Sequence, residues 1–253
     1  MVLSAVLGAC GAAPHVVEPP SGIASARPAP IGVSVRDDPQ VAAVVARYRE
    51  QLGAKLSTIL VRSTADIGPQ GEPSNPLGLL VADAMLAHLR AQDGLKVDCF
   101  ITNDGGLRAP LYAGDVRLSS VYEVMPFDNE LVVVSMTGGQ LMEVAHLIAK
   151  KNGEPLSGLR LVIDAIAGAA SDVQVGSLPI DSDALYAVGT TDYLAESGWM
   201  SAIAEKLPTS RTGILMRDAI AQHFREVHAR GETLSPIMDD RIRTQAPAPQ
   251  GAP

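Results

Sequence analysis

The stretch that decides the fold of this chain reads TNDGGLRAP at residues 102–110 and SSVYEVMPFDNELVVVSMTGGQ at 119–140. The apolar run Val97–Thr102 predicts a strand, which the polar residues 103–106 end. A second apolar run, Glu130–Met136, predicts another strand, and the Thr-Gly-Gly after it predicts a turn into a helix. Because loops at strand ends often carry binding residues, the first of these turns is a candidate site.

The residue types in that turn suit a polar ligand. Gly105 and Gly106 let the backbone approach a ligand closely. Asn103 offers an amide donor and acceptor suited to the edge of a base. Arg108 offers a fixed cation with a planar donor fork, suited to phosphate, ribose or carboxylate oxygens. On composition alone, a hairpin-like turn with a solvated arginine is the simpler interpretation.

Two aromatic residues also fall on predicted loops, although the chain is only 4% aromatic. Phe127 follows Pro126, and Tyr193 follows the predicted strand Leu185–Thr191. Such a pair can clamp a flat ring by stacking on it. Taken singly, each is more simply interpreted as a core residue, since sequence spacing does not show that the two face each other.

The rest of the chain predicts an α+β fold, with a mixed β-sheet packed with helices, because helices and strands alternate but some strands are consecutive. The 253 residues divide into a Pro-rich tether at 1–36, one domain at 37–242 and a disordered tail at 243–253. The main predicted helices cover residues 37–56, 77–92, 140–151 and 212–230.

The net charge of the sequence and the catalytic motifs that it lacks argue against several functions. A net charge of -8 excludes the basic surface that nucleic-acid backbones require, so we expect no nucleic-acid partner. None of the five histidines belongs to a metal-binding motif, and the chain has no nucleophile elbow and no P-loop. We therefore expect no catalytic residue, metal site or cofactor in this chain. Cys99 lies in an apolar strand and is expected to be a buried small residue.

The N-terminal segment predicts a lipid anchor. Residues 7–10 read LGAC after a short apolar run and resemble a bacterial lipobox, in which Cys10 is acylated. Five prolines follow between Ala13 and Ile31, a composition typical of an extended spacer. Acyl chains on Cys10 would hold the protein at a membrane without a spanning helix. We therefore expect a lipoprotein of the bacterial cell envelope, on its periplasmic or extracellular face.

Several ordered motifs resemble the C-terminal domain of 5'-nucleotidases and UDP-sugar hydrolases. The resemblance covers residues 37–242 and is carried by LGLLVADA at 77–84, TNDGGLR at 102–108, YEVMPF at 122–127, LVVVSMTG at 131–138, TDYLA at 191–195 and DRI at 240–242. The resemblance implies that this domain binds a nucleoside or nucleotide-like ligand. A metallophosphatase domain with two divalent metals would perform the hydrolysis, and we expect it on a separate partner chain.

The resemblance also assigns roles to individual residues. Asn103 would contact the base, Phe127 and Tyr193 would sandwich it, and Arg108 would hold the sugar or phosphate end, with Gly105 and Gly106 shaping the same wall. One departure from the family concerns the sugar: Trp199 stands where the family has an aspartate that grips the ribose hydroxyls. A second is Asp104, which replaces a glycine of the turn.

Three hypotheses follow. In the first, the chain is the substrate-recognition domain of a split 5'-nucleotidase, a hydrolase of nucleotide catabolism that works with a separate metallophosphatase. In the second, it is a stand-alone nucleoside-binding lipoprotein. In the third, it is a degenerate structural module that keeps only the fold. The retained Asn103, Arg108 and aromatic residues favour the first hypothesis, whereas Trp199 favours the other two.

Overall fold

The computed structural model describes residues 38–245, so Cys10 and the predicted tether lie outside the described residues. The chain divides into two units, Met1–Arg47 and Tyr48–Pro253. Helix α1 (Pro39–Leu56) begins in the first unit, where the Asp38 carboxylate accepts the Gln40 amide at 2.8 Å and caps the helix as an N-cap aspartate does. The division places the start of the larger unit at Tyr48, within α1.

The second unit combines helices with strands in mixed sheets, which confirms the predicted α+β class. Its helices are α2 (Pro76–Arg90), α3 (Leu118–Val124), α4 (Gly138–Lys150), α5 (Asp192–Glu196), α6 (Ser201–Ala204) and α7 (Met216–Ala229). Its strands are β1 (Ile59–Ser63), β2 (Cys99–Ile101), β3 (Gly114–Arg117), β4 (Glu130–Thr137), β5 (Leu156–Ser157), β6 (Leu159–Asp164), β7 (Ala169–Val175), β8 (Leu178–Pro179), β9 (Leu185–Thr191), β10 (Thr209–Leu215) and β11 (Ile242–Gln245).

The central sheet has five strands in the order β10-β4-β9-β2-β5. Within it β2 and β9 are parallel, and the other neighbouring pairs are antiparallel. A second sheet has the order β11-β6-β7-β8, and β1 pairs with β3 in a third.

Both faces of β4 are buried in the central sheet. Leu131 and Val133 pack into one hydrophobic cluster with helices α2 and α7, whereas Val132 and Val134 pack into another with α4. This alternation follows from the two-residue period of a strand, which sends successive side chains to opposite faces. It explains why β4 reads as a continuous apolar run rather than as an alternating pattern.

The Thr-Gly-Gly after β4 opens helix α4 instead of forming a separate turn. The Thr137 hydroxyl accepts the Gln140 amide at 3.3 Å and caps the helix, so Gly138 and Gly139 occupy its first turn. A Cβ at Gly138 would collide with the carbonyl of Asp181. Glycine is needed at this position because the loop before β9 crosses the start of the helix.

Two predictions for the C-terminal part of the chain are wrong in detail. The predicted helix 212–230 is shorter than expected: residues 212–215 belong to β10, which pairs with β4, so α7 starts only at Met216. Gly213 adopts φ +71° where the β10–β4 register shifts, which fits a bulge. Residues 243–245 of the predicted disordered tail extend β11, which adds parallel to β6. The remaining predicted tail lies outside the described residues.

A partly buried ion pair joins the first and last of the sequence motifs. The Arg241 guanidinium donates to both carboxylate oxygens of Asp83, at 2.5 and 2.9 Å, and to the carbonyl of Leu156 at 3.0 Å. The Asp239 carboxylate also accepts from Arg241, and the two carboxylates keep the pKa of the guanidinium high. A bidentate arginine of this kind fixes α2, β5 and the start of β11 to one another.

The environment of Cys99 agrees with its predicted role. It is fully buried in β2, and burial raises the pKa of its thiol to about 12, so the thiol stays neutral. Within residues 38–245, no helix is both long enough and apolar enough to cross a bilayer.

Candidate functional site

Three segments of the chain meet at one edge of the central sheet because of the strand directions. β2 and β9 are parallel neighbours, with Cys99 opposite Val188, so the segments that follow both strands leave at the same edge. β4 runs antiparallel to β9, with Leu131 opposite Thr191, so the segment before β4 lies there too. The turn that starts at Asn103, the loop 125–129 and the start of α5 are therefore close in space, although 90 residues separate Asn103 from Tyr193.

These segments enclose a cavity of about 320 Å³. That volume is at the lower end of the range for small-molecule sites. All six residues predicted as ligand contacts lie around it, together with one that was not predicted; the lining consists of Asn103, Gly105, Gly106, Arg108, Phe127, Asn129 and Tyr193. The lining combines two aromatic rings, two side-chain amides and one guanidinium.

The first wall is a short 3-10 turn at Asp104–Gly106. Neither Gly105 nor Gly106 adopts a positive φ, so these glycines serve close approach rather than an unusual backbone conformation. A Cβ on Gly106 would lie 3.4 Å from the Met125 methyl group. Arg108 closes the turn: its Nη1 donates to the Gly105 carbonyl at 3.1 Å, and its side chain is exposed at the cavity.

The turn is anchored from behind by Asp104. Its carboxylate accepts from Nδ2 of Asn75 at 2.5 Å, and its amide donates to Oε2 of Glu154 at 2.8 Å. Asn75 is at the same time the N-cap of α2, where its Oδ1 accepts the Gly78 amide at 2.6 Å. The wall of the cavity is thus bonded to the start of a long buried helix.

This anchor has an unusual protonation equilibrium. Burial, and after it repulsion from the Glu154 carboxylate, raises the pKa of Asp104 to about 6. The hydrogen bond from Asn75 and the ammonium of Lys151 act in the opposite direction but do not cancel the shift. Asp104 therefore changes its charge within the physiological pH range. Its carboxyl group is not part of the cavity lining.

The second wall carries Tyr193, which lies in the first turn of α5. Thr191 caps this helix, and its hydroxyl accepts the Leu194 amide at 3.3 Å. The Asp192 carboxylate accepts the amides of Tyr193 and Glu130, at 2.7 and 3.1 Å, and so joins α5 to the start of β4. The Tyr193 ring is half exposed, which leaves it free to stack on a ligand.

The third wall is the loop 125–129, which carries Phe127. The Phe127 ring is 39% exposed, and the Arg108 guanidinium lies 5.5 Å from its centroid, within the range of a cation–π contact. The interpretation of Phe127 and Tyr193 as ordinary core residues is therefore wrong, because both rings are exposed and line one cavity.

Sequence reasoning missed one lining residue and misplaced another. Asn129 lies two residues after Phe127, just before β4, and its amide adds a second donor and acceptor to the cavity. Its position in a polar break before a buried strand was the available signal. Trp199, expected in the sugar region, is not part of the cavity lining and packs against the second hydrophobic cluster. Its indole N–H has no hydrogen-bond partner among the described residues.

The described residues do not suit a catalytic metal centre. Between residues 38 and 245, no three His, Cys, Asp or Glu side chains come together in a way that would hold a metal ion. His146 accepts the Ala170 amide at 3.0 Å, and burial lowers the pKa of His88 and His223, so these histidines have structural environments. The cavity lining offers aromatic rings, amides and a guanidinium, whereas the described residues offer no ligand set for metal-assisted hydrolysis.

Comparison with known proteins agrees with this fold. Residues 53–204 match the family model "5'-nucleotidase, C-terminal domain". The chain is 24% identical over 164 residues to a Treponema pallidum protein named "Probable 5'-nucleotidase" and 26% identical over 153 residues to the 5'-nucleotidase of Vibrio cholerae. These matches cover 61% and 59% of this chain but only 25% and 27% of the two relatives. The chain thus spans about a quarter of their length.

Solved structures show the same fold. The 5'-nucleotidase precursor of Thermus thermophilus superposes with a TM-score of 0.68 at 22% identity, over 83% of this chain and 44% of that one. The NAD nucleotidase of Haemophilus influenzae gives a TM-score of 0.63 at 18% identity, over 83% of this chain and 42% of that one. Because the family model covers more than half of the residues, the chain belongs to the family of 5'-nucleotidase C-terminal domains.

Proposed function

We propose that this chain is the substrate-recognition domain of a split 5'-nucleotidase-type phosphoester hydrolase and that its cavity binds a nucleoside or nucleotide-like ligand. One observation carries the proposal: Phe127 and Tyr193, remote in sequence, line a single cavity with Asn103, Asn129 and Arg108. This combination provides for each part of a nucleotide a group of matching chemistry.

The aromatic and amide groups suit a nucleobase. Every base has a flat π-face, and the half-exposed rings of Phe127 and Tyr193 are available for stacking. The base edge carries both donors and acceptors, which the amides of Asn103 and Asn129 can match. Stacking supplies affinity that tolerates different bases, and the amides supply preference among them.

The guanidinium of Arg108 suits the phosphate end. It is exposed at the cavity, and among residues 38–245 its hydrogen bond goes to the Gly105 carbonyl alone, which leaves most of its donors for an anion. Its contact with the Phe127 ring keeps it over the same side of the cavity. A nucleotide bound between the aromatic rings would therefore present its phosphate at Arg108.

Hydrolysis is assigned to a separate metallophosphatase chain. The family resemblance places the two divalent metals in a metallophosphatase domain, and residues 38–245 offer no cluster of metal ligands. In this arrangement the present chain selects and orients the substrate while the partner provides the metals and the attacking water. This chain spans about a quarter of the relatives that are named as 5'-nucleotidases. In the proposed arrangement, it would take part in such an activity together with the partner.

An envelope location completes the proposal. It is based on the lipobox-like residues 7–10 and on the Pro-rich segment after them, through which an acylated Cys10 would tether the domain to a membrane. Mass spectrometry of the protein purified from membranes tests this part. Diacylglyceryl-modified Cys10 supports it, and an unmodified Cys10 in membrane-free protein contradicts it.

A phosphate-release assay tests the division of labour. The full chain is incubated with AMP and Mg²⁺, Mn²⁺ or Zn²⁺, with and without a co-expressed metallophosphatase from the same genome. We expect phosphate release only with the partner, and faster release than the partner achieves alone. Catalytic release of phosphate by the isolated chain would contradict the split arrangement. If the chain leaves the rate of phosphate release by the partner unchanged, a stand-alone binding protein is favoured.

A further inference from the structure

The loop 125–129 supplies two residues to the cavity, yet it lies between α3 and β4 and belongs to neither. Phe127 is 39% exposed, so burial of its own ring does not hold it in place. An exposed loop loses conformational entropy when it is ordered, and that loss weakens binding unless the loop is held before the ligand arrives. The contacts that hold this loop therefore decide how well the cavity is formed.

The hydrogen bonds that hold residues 127–129 come from the first two residues of α7, about 90 positions further along the chain. Nη1 of Arg217 donates to the Phe127 carbonyl at 3.3 Å, and Nη2 donates to the Asp128 carboxylate at 2.5 Å. The Met216 amide donates to the Asn129 carbonyl at 2.8 Å. Three consecutive loop residues are thus held by two consecutive helix residues.

Arg217 is itself held firmly. Its guanidinium lies 4.3 Å from the centroid of the Tyr122 ring in α3, and the residue is only 8% exposed. Stacking on Tyr122 and the planar donor fork fix the direction of both bonds to the loop. Arg217 does not line the cavity, so it acts on the ligand only through the residues it holds.

One hydrogen-bond donor of the Arg217 side chain is left unsatisfied. Its Nε–H is buried and has no hydrogen-bond partner within the described residues. A buried donor without a partner costs about 1–3 kcal/mol, so the contacts of Arg217 with the loop must offset that cost. Such a group in a native structure calls for an explanation other than packing.

We propose that Arg217 is a positioning residue, which places Phe127 and Asn129 for contact with the base and does not itself touch the ligand. The inference rests on the proposed function, because it presumes that the cavity binds a base. It goes beyond the family match, which ends at residue 204, whereas Arg217 lies in the C-terminal segment after it. The position of the loop 125–129 would thus be set by Met216 and Arg217, which lie outside the matched region.

A double-mutant cycle on the full chain tests this role. The variants are Arg217→Met, which keeps the apolar stem, Phe127→Ala and the two combined; Arg225→Met, on the exposed face of α7, is the matched control. The probes are AMP, titrated by calorimetry, and 2-aminopurine riboside 5'-monophosphate, whose fluorescence falls when the base stacks. Thermal unfolding of each variant shows that it is folded.

We expect Arg217→Met to weaken AMP binding about tenfold, or about 1.4 kcal/mol, with less quenching of the fluorescent base at saturation. In the Phe127→Ala background the same change should have a smaller effect, because the ring is gone and only Asn129 remains to be positioned. Arg225→Met should bind both probes as the wild type does. A purely structural role would lower the melting temperature without changing the quenching at saturation.

Asp128→Ala provides a second variant in case Arg217→Met does not fold. The Asp128 side chain is 76% exposed, and its truncation removes the carboxylate partner of Arg217 but leaves the bond of Arg217 to the Phe127 carbonyl. We therefore expect about threefold weaker binding, the effect of a partly exposed ion pair. Wild-type affinity and quenching in folded Arg217→Met or Asp128→Ala protein would overturn the inference, as would an undiminished effect of Arg217→Met in the Phe127→Ala background. If the wild-type chain binds neither probe, the proposed function itself fails and the inference falls with it.

Discussion

The turn at Asn103–Arg108 and the loop 125–129 face the same cavity but are anchored by different chemistry. The turn is held from behind by a half-buried cluster in which Asp104 contacts Asn75 and Glu154. The loop is held from the side by Arg217, which reaches backbone carbonyl and carboxylate groups near the surface. One wall thus depends on a half-buried carboxylate with a raised pKa, and the other on a guanidinium whose charge is constant over the accessible pH range.

Because their anchors differ, the two halves of the site can be perturbed separately. The turn carries the charge that would meet a phosphate, through Arg108, and its anchor responds to pH. The loop and α5 carry the aromatic rings that would meet a base, and their anchors respond to ionic strength where they are exposed. Changes to the turn should therefore affect phosphorylated ligands and pH dependence, whereas changes to the aromatic walls should affect all base-bearing ligands.

The largest expected effect separates the two walls by ligand. Arg108→Ala should weaken AMP binding by about 1.5–3 kcal/mol, the range for a hydrogen bond to a charged group, and leave adenosine binding nearly unchanged. Calorimetric titration with both ligands measures the difference, and Arg225→Ala serves as the matched control. An equal loss for adenosine and AMP would show that Arg108 supports the fold of the turn rather than the phosphate.

The next smaller effect concerns the free energy of unfolding, and it should appear only at pH values where Asp104 in the turn is ionised. The pKa of Asp104 is about 6 in the folded chain and about 4 when unfolded, so the ionised form is disfavoured by folding. The loss of stability that ionised Asp104 causes is absent below about pH 4, grows between about pH 4 and 6 and is complete above about pH 6. Asp104→Asn should therefore raise the free energy of unfolding at about pH 7.5 by about 1 kcal/mol, after allowance for solvent screening of the half-buried carboxyl.

Urea denaturation at pH 4.0 and at pH 7.5 checks this prediction. The stability gain of Asp104→Asn should vanish at the lower pH, where Asp104 is protonated and resembles asparagine. Asp128→Asn, which changes an exposed carboxylate of the aromatic loop, is the control and should show no such pH-dependent gain. A gain of the same size at both pH values would show that charge on Asp104 is not the cause.

The smallest expected effect concerns the second anchor of the aromatic walls. Arg211 in β10 bonds to Glu130 at 2.7 Å and to Glu196 of α5, but its side chain is 52% exposed. Exposed ion pairs contribute about 0.2–1 kcal/mol, so Arg211→Ala should weaken AMP binding by no more than that amount. Titrations in 50 mM and 500 mM NaCl check it: the difference between variant and wild type should shrink at high salt. An effect that persists unchanged at high salt would contradict a screened surface pair.

Much of the fold follows from local patterns, and the reasons for the failures are equally physical. β9 has the predicted bounds, Leu185–Thr191, because its largely apolar residues lie between polar breaks in the sequence. β10 was missed because Thr209–Leu215 is mostly exposed and has no apolar alternation. It is a strand because it pairs with β4, some 80 residues earlier, and single-sequence patterns carry no information about such a partner.

The cavity shows the same division. Its six predicted residues are found because they stand in recognisable motifs, and the parallel pairing of β2 with β9 explains why they meet. Arg217 was not found, because an arginine in the first turn of an amphipathic helix is indistinguishable in sequence from a solvated one. Only the fold brings it to Phe127.

The central claim is that the cavity binds a base-bearing ligand between Phe127 and Tyr193. Calorimetric titration of the wild-type chain and of Phe127→Ala with AMP tests it most directly. We expect saturable binding to the wild type and a loss of about 1–3 kcal/mol in the variant, the range for removal of one stacking partner. Absence of binding to the wild-type chain, or equal affinity in folded Phe127→Ala protein, would contradict it.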